Sequence, residues 1–273
     1  MIAKPPKWVV LLVAVISCLW IVPVIGVVVT SIRPYEDIAL GWWRTDNLRF
    51  TLDAWRRVWG EYPLAESFWM SFKLTAIATL ATMFFAPAAA FAFQYLRFPF
   101  RRVLLVLVVN AFVLPIQVAI IPLFRLWLEF GMIDTMASVI IPFVGLSFGW
   151  SIFLVKSFLE DFPYELVEAG RIDGCGPIRV FRHIVLPNSL PAIMSVGILQ
   201  FLWCWNTLLL PLLFLRTEVP LPVLLARVSG TYDPNWDIRS VAAIVTMAMP
   251  IIVFVLFQKH FVAGATGRSG TKG

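Results

Sequence analysis

Ionisable and metal-binding side chains are scarce in this chain: 14% of its 273 residues are charged, and it holds two histidines and three cysteines. Cys18, Cys175 and Cys204 stand far apart, two in apolar runs and one in a polar loop. That spacing excludes a disulfide framework and a zinc motif. With His183 and His260 as the only imidazoles, an intramembrane metal centre has no ligand set and a Ser or Cys hydrolase has no base. No Asp or Glu falls in the core of any long apolar run. A secondary proton symporter needs a titratable carboxylate there, so that class is disfavoured. Sodium coupling through backbone carbonyls stays open. No internal repeat and no Gly/Ser linker divides the chain.

What is present is apolar: 60% of residues are hydrophobic and the mean hydropathy is +0.86. A soluble domain of this length could not bury so much apolar surface, so the bilayer is the solvent. A helical crossing takes about 20 largely apolar residues. Six stretches qualify, at about 8–29, 69–93, 103–122, 136–158, 191–215 and 241–260. The expected fold is all-α: a single polytopic transmembrane domain over 1–273, in contact with membrane lipid. The first run follows Lys4 and Lys7, but it is too long and lacks a clean cleavage site, so it reads as a retained signal anchor.

An even number of crossings puts both termini on one side. The net charge of +6 is spread over both faces, with five arginines (Arg33, Arg44, Arg49, Arg56, Arg57) in the first long loop. It therefore marks topology and is no sign of a nucleic-acid partner. That loop, 30–68, is rich in Trp, as headgroup regions are, and Thr51–Gly60 reads as a short helix. The connection 123–135 is expected to lie flat, and 216–239, with Pro220, Pro222, Gly230 and Pro234, to be a turn-rich excursion without a helix. Pro23, Pro87, Pro115, Pro142, Pro211 and Pro250 read as kinks inside spans, since neighbouring helices can satisfy the freed backbone groups. Lys73 and Lys156 sit near span ends, where they snorkel.

One polar island, 159–190, interrupts the apolar chain. Asp161 and Pro163 form a helix start. The helix runs to Ile172 and stops at Gly174, which can take a left-handed turn. Gly176 and Pro177 open a second short helix that ends before Pro187. The product is a helix–turn–helix knob with Glu165 and Glu168 on neighbouring positions of the first helix. Ile178, Phe181 and Val185 form an apolar stripe on the second, flanked by Arg179, Arg182 and His183. Such a ridge suits docking in a groove of another protein.

The same island carries a resemblance. Glu168-Ala169-Gly170, three residues, Gly174, nine residues, then Ile184-x-Leu186-Pro187 is similar to the coupling loop of bacterial ABC importer permeases, in which the third residue of the pattern is Ala. Gln200–Asn206 resembles the fifth-span signature of maltose-transporter-type sugar permeases. The tail from Gln258 is similar to that of the second permease subunit in that group, although Ala263–Gly267 is less bulky. The resemblance implies the type I ABC importer permease fold, with six spans, a cytoplasmic knob and a cytoplasmic tail at 261–273 in a bacterial or archaeal inner membrane.

It further implies a chain that is no enzyme. Its partners would be a homologous permease, two ATPase subunits that bind ATP and Mg, and an extracytoplasmic solute-binding protein. Glu165, Glu168, Ala169, Gly170, Asp173, Gly174, Phe181, Ile184, Leu186 and Pro187 would carry the coupling. Gly41-Trp42-Trp43 and the fifth-span stretch lean toward glucose, mannose or α-glucosides; glycerol-3-phosphate or another polyol is the rival. Polar and aromatic residues inside the spans, Asn110, Gln117, Ser147, Trp150, Gln200, Trp203 and Asn206, are the pathway candidates. Amides and ring planes suit a sugar's hydroxyls and ring faces, and interhelical hydrogen bonding is the alternative role. A stand-alone secondary carrier would leave the 168–187 pattern unexplained.

Overall fold

The computed structural model describes residues 6–39, 41–113, 115–228 and 235–265, and these are helical with no strand among them. They form two compact units, Met1–Phe68 with Val223–Met249, and Trp69–Pro222 with Pro250–Gly273. The Gly-rich tail at 266–273, with Leu40, Gly230 and Pro234, lies outside the described residues.

In the first unit, α1 (Lys7–Ser31) is a long apolar helix that passes through Pro23. Two short helices follow, α2 (Tyr35–Ile38) and α3 (Asp53–Glu61), the latter close to the expected 51–60. Between them the Trp-rich segment is wound around Arg33, a residue only 2% exposed, and its guanidinium faces that segment's backbone. It donates to the carbonyls of Trp42 (3.0 Å), Arg44 (2.9 Å) and Asn47 (2.6 Å). The Trp42 ring lies so close to Gly26 that a Cβ there would come within 2.8 Å of it. Arg49 donates to both Asp37 oxygens, at 3.0 and 2.7 Å, and holds that carboxyl below its usual range.

In the second unit, α4 (Leu64–Tyr95, from Trp69 onward) meets α7 (Met136–Glu160) and α11 (Leu190–Asn206). Thr82 and Ser147 hydroxyls meet at 3.3 Å, and Met83 packs over Gly197. Phe143 meets Trp203 edge-on at 5.4 Å between ring centroids. Without a hydrophobic drive between helices in lipid, small residues and polar pairs make such seams. Gly149 is the closest of them: its Cα faces the Val108 carbonyl of α5 (Arg101–Val113) with no room for a Cβ.

Among the described residues, four helices are long and apolar enough to cross a membrane: α1, α4, α7 and α14 (Trp236–Ala265); the count reaches up to six if each of two bent pairs is one span. The expected span 103–122 is one of these pairs. It divides into α5 and α6 (Ile116–Glu129), bent by 96°, and α6 takes up much of the connection expected to lie flat. Pro115 has no N–H and an extended backbone (ψ 132°), so it starts a new helix instead of kinking the old one. The other pair joins the stretch Pro177–Asn188 to α11, with a bend of 74°. The expected span 191–215 stops short of its end: α11 finishes at Asn206, and α12 (Leu209–Phe214) follows an extended Thr207. The excursion 216–239 does contain a helix, α13 (Leu221–Val228). Its prolines, read as turn formers, occupy the entry and first turn, where a missing N–H costs nothing.

Candidate functional site

Below α7 the chain builds the knob. Phe162 is buried, and α8 (Tyr164–Ile172) follows Pro163. Gly174 has φ +75°, a conformation cheap only without a Cβ. The Cys175 N–H donates to the Gly170 carbonyl (2.9 Å) and the Gly174 N–H to the Arg171 carbonyl (3.0 Å), the paired bonds of a Schellman stop. Gly176 and Pro177 then start α9 (Pro177–Val180). Here the structure departs from expectation: the helix does not end before Pro187. It passes through a π turn, Phe181–Val185, into α10 (Leu186–Asn188). The Leu186 N–H bonds back to the Phe181 carbonyl five residues away. That wider turn gives the Pro187 ring the clearance from the His183 carbonyl that an α turn denies it.

The knob's inner face is firmly seated. Val167, Val180 and Val185 are at most 1% exposed and pack with Phe91, Ile152, Val155 and Leu159 at the ends of α4 and α7. Each such side chain contributes about 1.5–3 kcal/mol when fully buried. Phe181 meets Phe91 at 5.2 Å. Arg171 donates to the Tyr95 carbonyl (3.1 Å) and the Tyr164 hydroxyl (3.3 Å), while the Tyr95 hydroxyl donates to the Leu159 carbonyl (3.1 Å). Movement of α8 is thereby tied to the last turns of α4 and α7. These ties were not found in the sequence, because Tyr95 lies far from the motif.

The anticipated docking stripe is split by this packing. Val185 is buried and Phe181 faces Phe91, so of the three only Ile178 projects, 81% exposed. Its partner is Ile172, 79% exposed across the Gly174 turn and absent from the expected stripe. Both side chains are thrust outward because the tight turn leaves them nothing to pack on. Around them lie a shallow groove of about 470 Å³, lined by Gly174, Pro177, Ile178, Arg179, Arg182 and His183, and the exposed Glu165, Glu168, Ala169 and Asp173. Ile184 and Leu186 are half-buried and Pro187 is exposed. The knob thus offers a two-isoleucine tip between an acidic helix and a basic one, a shape for docking and no arrangement for covalent chemistry.

The pathway candidates divide into three sets. Trp150 and Trp203 come together on one cavity of about 430 Å³, with Phe112, Ile116, Leu146 and Thr207. Ser147 and Gln200 are fully buried, the Gln200 amide lying 3.2 Å from the Cys204 sulfur. Asn110 and Asn206 are exposed, and each turns its amide back to its own helix, to Val106 (2.7 Å) and Leu202 (2.8 Å) carbonyls; Gln117 is exposed on α6. Among the described residues no His, Cys, Asp or Glu group could hold a metal ion.

Residues 85–266 match the family described as the binding-protein-dependent transport system inner membrane component. A probable ABC transporter permease protein of Pyrococcus horikoshii is 32% identical over 265 residues, covering 94% of this chain and 95% of that one. The α-glucoside transport system permease protein AglG of Rhizobium meliloti is 33% identical over 79% of this chain and 59% of its own length. The crystal structure of a bacterial ABC transporter involved in alginate import superposes on this chain with a TM-score of 0.78 at 20% identity. It covers 92% of this chain and 94% of that one and supports the ABC importer permease fold.

Proposed function

The chain belongs to the family of binding-protein-dependent transport system inner membrane components, and from that premise we propose that it forms half of the translocation path of an ATP-driven sugar importer. Two cytoplasmic ATPase subunits dock on the knob and bind the ATP and Mg. A homologous permease supplies the other half, and an extracytoplasmic binding protein delivers the sugar at the opposite face. The carrying observation is the knob itself: exposed Glu165, Glu168, Ile172 and Ile178 on a turn locked by Gly174 and seated on α4 and α7.

ATP-driven closure of the partners pulls on α8. Through Arg171 and Tyr95 the pull reaches the membrane helices and opens the path outward; hydrolysis resets it. Both termini lie in the cytoplasm, with the knob. The similarity to an α-glucoside permease of Rhizobium meliloti supports a neutral glucoside as the transported class.

The test is purification from the native membrane, with mass spectrometry of what accompanies the chain, beside uptake by Glu168→Ala. An ATPase, a second permease and a binding protein should be recovered, and the variant should keep its membrane abundance while ATP-driven uptake falls roughly tenfold or more, about 1.4 kcal/mol of lost coupling. Unchanged uptake in Glu168→Ala, or a lone chain that transports without ATP, sinks the reading.

A further inference from the structure

The turn that joins α4 to α5, residues 96–100, lies at the knob end of the bundle. Just before it, the Tyr95 hydroxyl reaches the Leu159 carbonyl in the last turn of α7 (3.1 Å). Arg101 closes the turn, donating to the carbonyls of Leu96 (3.1 Å) and Gln94 (3.4 Å). Arg97 and Arg102 are exposed, and neither has a hydrogen bond or an ion pair among the described residues. Arg171 brings a further positive charge to the Tyr95 carbonyl. Little opposes them: the sequence holds no Asp or Glu between Glu66 and Glu129, and Glu160 at the same end is paired with Lys156.

Phe100 is the odd residue of the turn. Its φ is +58°, a conformation that is costly for a bulky side chain and free for Gly. The residue is nonetheless a Phe, 76% exposed, between the two unpaired arginines. Past it, Val103, Val106 and Leu107 are exposed on one face of α5, a helix that belongs to a bent pair apolar enough to span. A cationic turn, then an aromatic side chain, then an apolar helix face follow the order of a phospholipid: phosphate, glycerol, acyl chain. A partner in water would meet the arginines but not that face, which sits at hydrocarbon depth. Charge then chooses among lipids, since each Arg near the surface favours an anionic headgroup several-fold.

We propose that the α4–α5 turn binds an anionic phospholipid of the cytoplasmic leaflet. Arg97 and Arg102 hold the phosphate, Phe100 sinks beside the glycerol, and an acyl chain lies along Val103, Val106 and Leu107. The leaflet rests on the importer reading; the preference for an anionic lipid does not. Because Arg171 ties α8 to the root of this turn, the lipid anchors the point at which the knob pulls on α4.

The experiment uses the assembled transporter in phosphatidylcholine nanodiscs. These carry a small fraction of an acyl-diazirine analogue of either phosphatidylglycerol or phosphatidylcholine. After illumination, mass spectrometry locates the label. Residues 103–107 should take the phosphatidylglycerol analogue roughly tenfold more than the other. The exposed middle of α1, around Leu19 and Trp20, should take both equally. Arg97→Gln with Arg102→Gln should bring the ratio near one, and Arg97→Lys with Arg102→Lys should keep it. Phe100→Gly relieves the backbone, so the complex should melt no earlier than the parent, yet phosphatidylglycerol labelling should fall several-fold.

Equal labelling by the two lipids overturns the proposal. So does a preference that survives the double Gln variant, or full labelling in Phe100→Gly. Absence of either label at 103–107 overturns it too, and means that protein covers this face. Failure of the importer reading is seen separately, as absence of an accompanying ATPase.

Discussion

Position 170 carries a hydrogen where the resembling coupling loops carry a methyl, and the structure gives the reason. The Gly170 Cα faces Ile184, and a Cβ would press on its Cδ1, while Val180 Cγ2 sits 3.5 Å from the same point. The obstructing atom is the far end of a flexible side chain, so it can rotate away. Gly170→Ala should therefore be close to neutral: the local squeeze is offset by the roughly 0.5–1 kcal/mol that Ala brings to a helix. Gly170→Val adds three carbons, two more than Ala, against both neighbours and should cost about 1–3 kcal/mol by overpacking. Thermal unfolding of the purified complex separates the two variants. If Ala lowers stability as much as Val, the space at 170 is rigid and Ile184 is not the element that yields. The sequence disclosed the odd residue at 170; its compensation in Ile184, fourteen positions away, needed the fold.

Two connections between helices are joined by a single carboxylate. Asp134, in a left-handed turn (φ +64°), accepts from the Arg216 N–H (2.7 Å), the Thr217 N–H (3.1 Å) and the Thr217 hydroxyl. Its own N–H donates to the Phe214 carbonyl (2.8 Å). The Thr217 hydroxyl and two backbone donors hold the carboxyl below its usual value. A depressed folded pKa means the contribution is fully present above the unfolded value, near 3.9. It is lost as pH falls through the lower folded one. Acid should therefore loosen the 130–135 and 215–218 segments together. Limited proteolysis across about pH 3–6 should show faster cleavage at the acid end in the parent. Asp134→Asn, which keeps the left-handed preference but has only one acceptor oxygen, should be cleaved readily at every pH. A parent whose cleavage ignores pH would remove the latch. None of this was legible in the sequence, because Asp134 and Thr217 are 83 residues apart and neither belongs to a motif. Helix α13 was missed for another reason: prolines that open a helix look, in sequence, like prolines that forbid one. The apolar positions lining the cavity were equally mute, since in a chain this hydrophobic every face of a helix is apolar. By contrast the knob's helix–turn–helix backbone was readable, because Pro163, the Gly174 stop and the Gly176–Pro177 start stand out against that background. The π turn that keeps the helix going through Pro187, the inward turn of Phe181 and Val185, and the exposed Ile172 escaped.

For the whole molecule, the open quantity is which residues face which side. Basic residues do not decide it, since Arg33, Arg44, Arg49, Arg56 and Arg57 crowd one loop while Arg171, Arg179 and Arg182 crowd the knob. Structure weakens the first group's vote. Arg33 is spent on carbonyls of its own loop, Arg49 on Asp37 and Glu36, and Arg57 lies 3.7 Å from Asp237. Neutralised charge resists translocation less than bare charge, whereas Arg179 and Arg182 line an open groove. That asymmetry favours the knob inside and the Trp-rich loop outside. In Cys-free chains carrying one reporter, Arg182→Cys should react with an impermeant maleimide only in inverted vesicles, and Trp59→Cys, on a side chain 54% exposed, only in right-side-out ones. Reporters fused after Gly273 and before Met1 should both behave as Arg182→Cys does. That result requires an even number of crossings, with the α5–α6 pair passing fully through the membrane and α11 crossing it from the knob. A C-terminal reporter on the Trp59 side would mean that the α5–α6 pair or α11 returns to the face it left, and the count would fall to five.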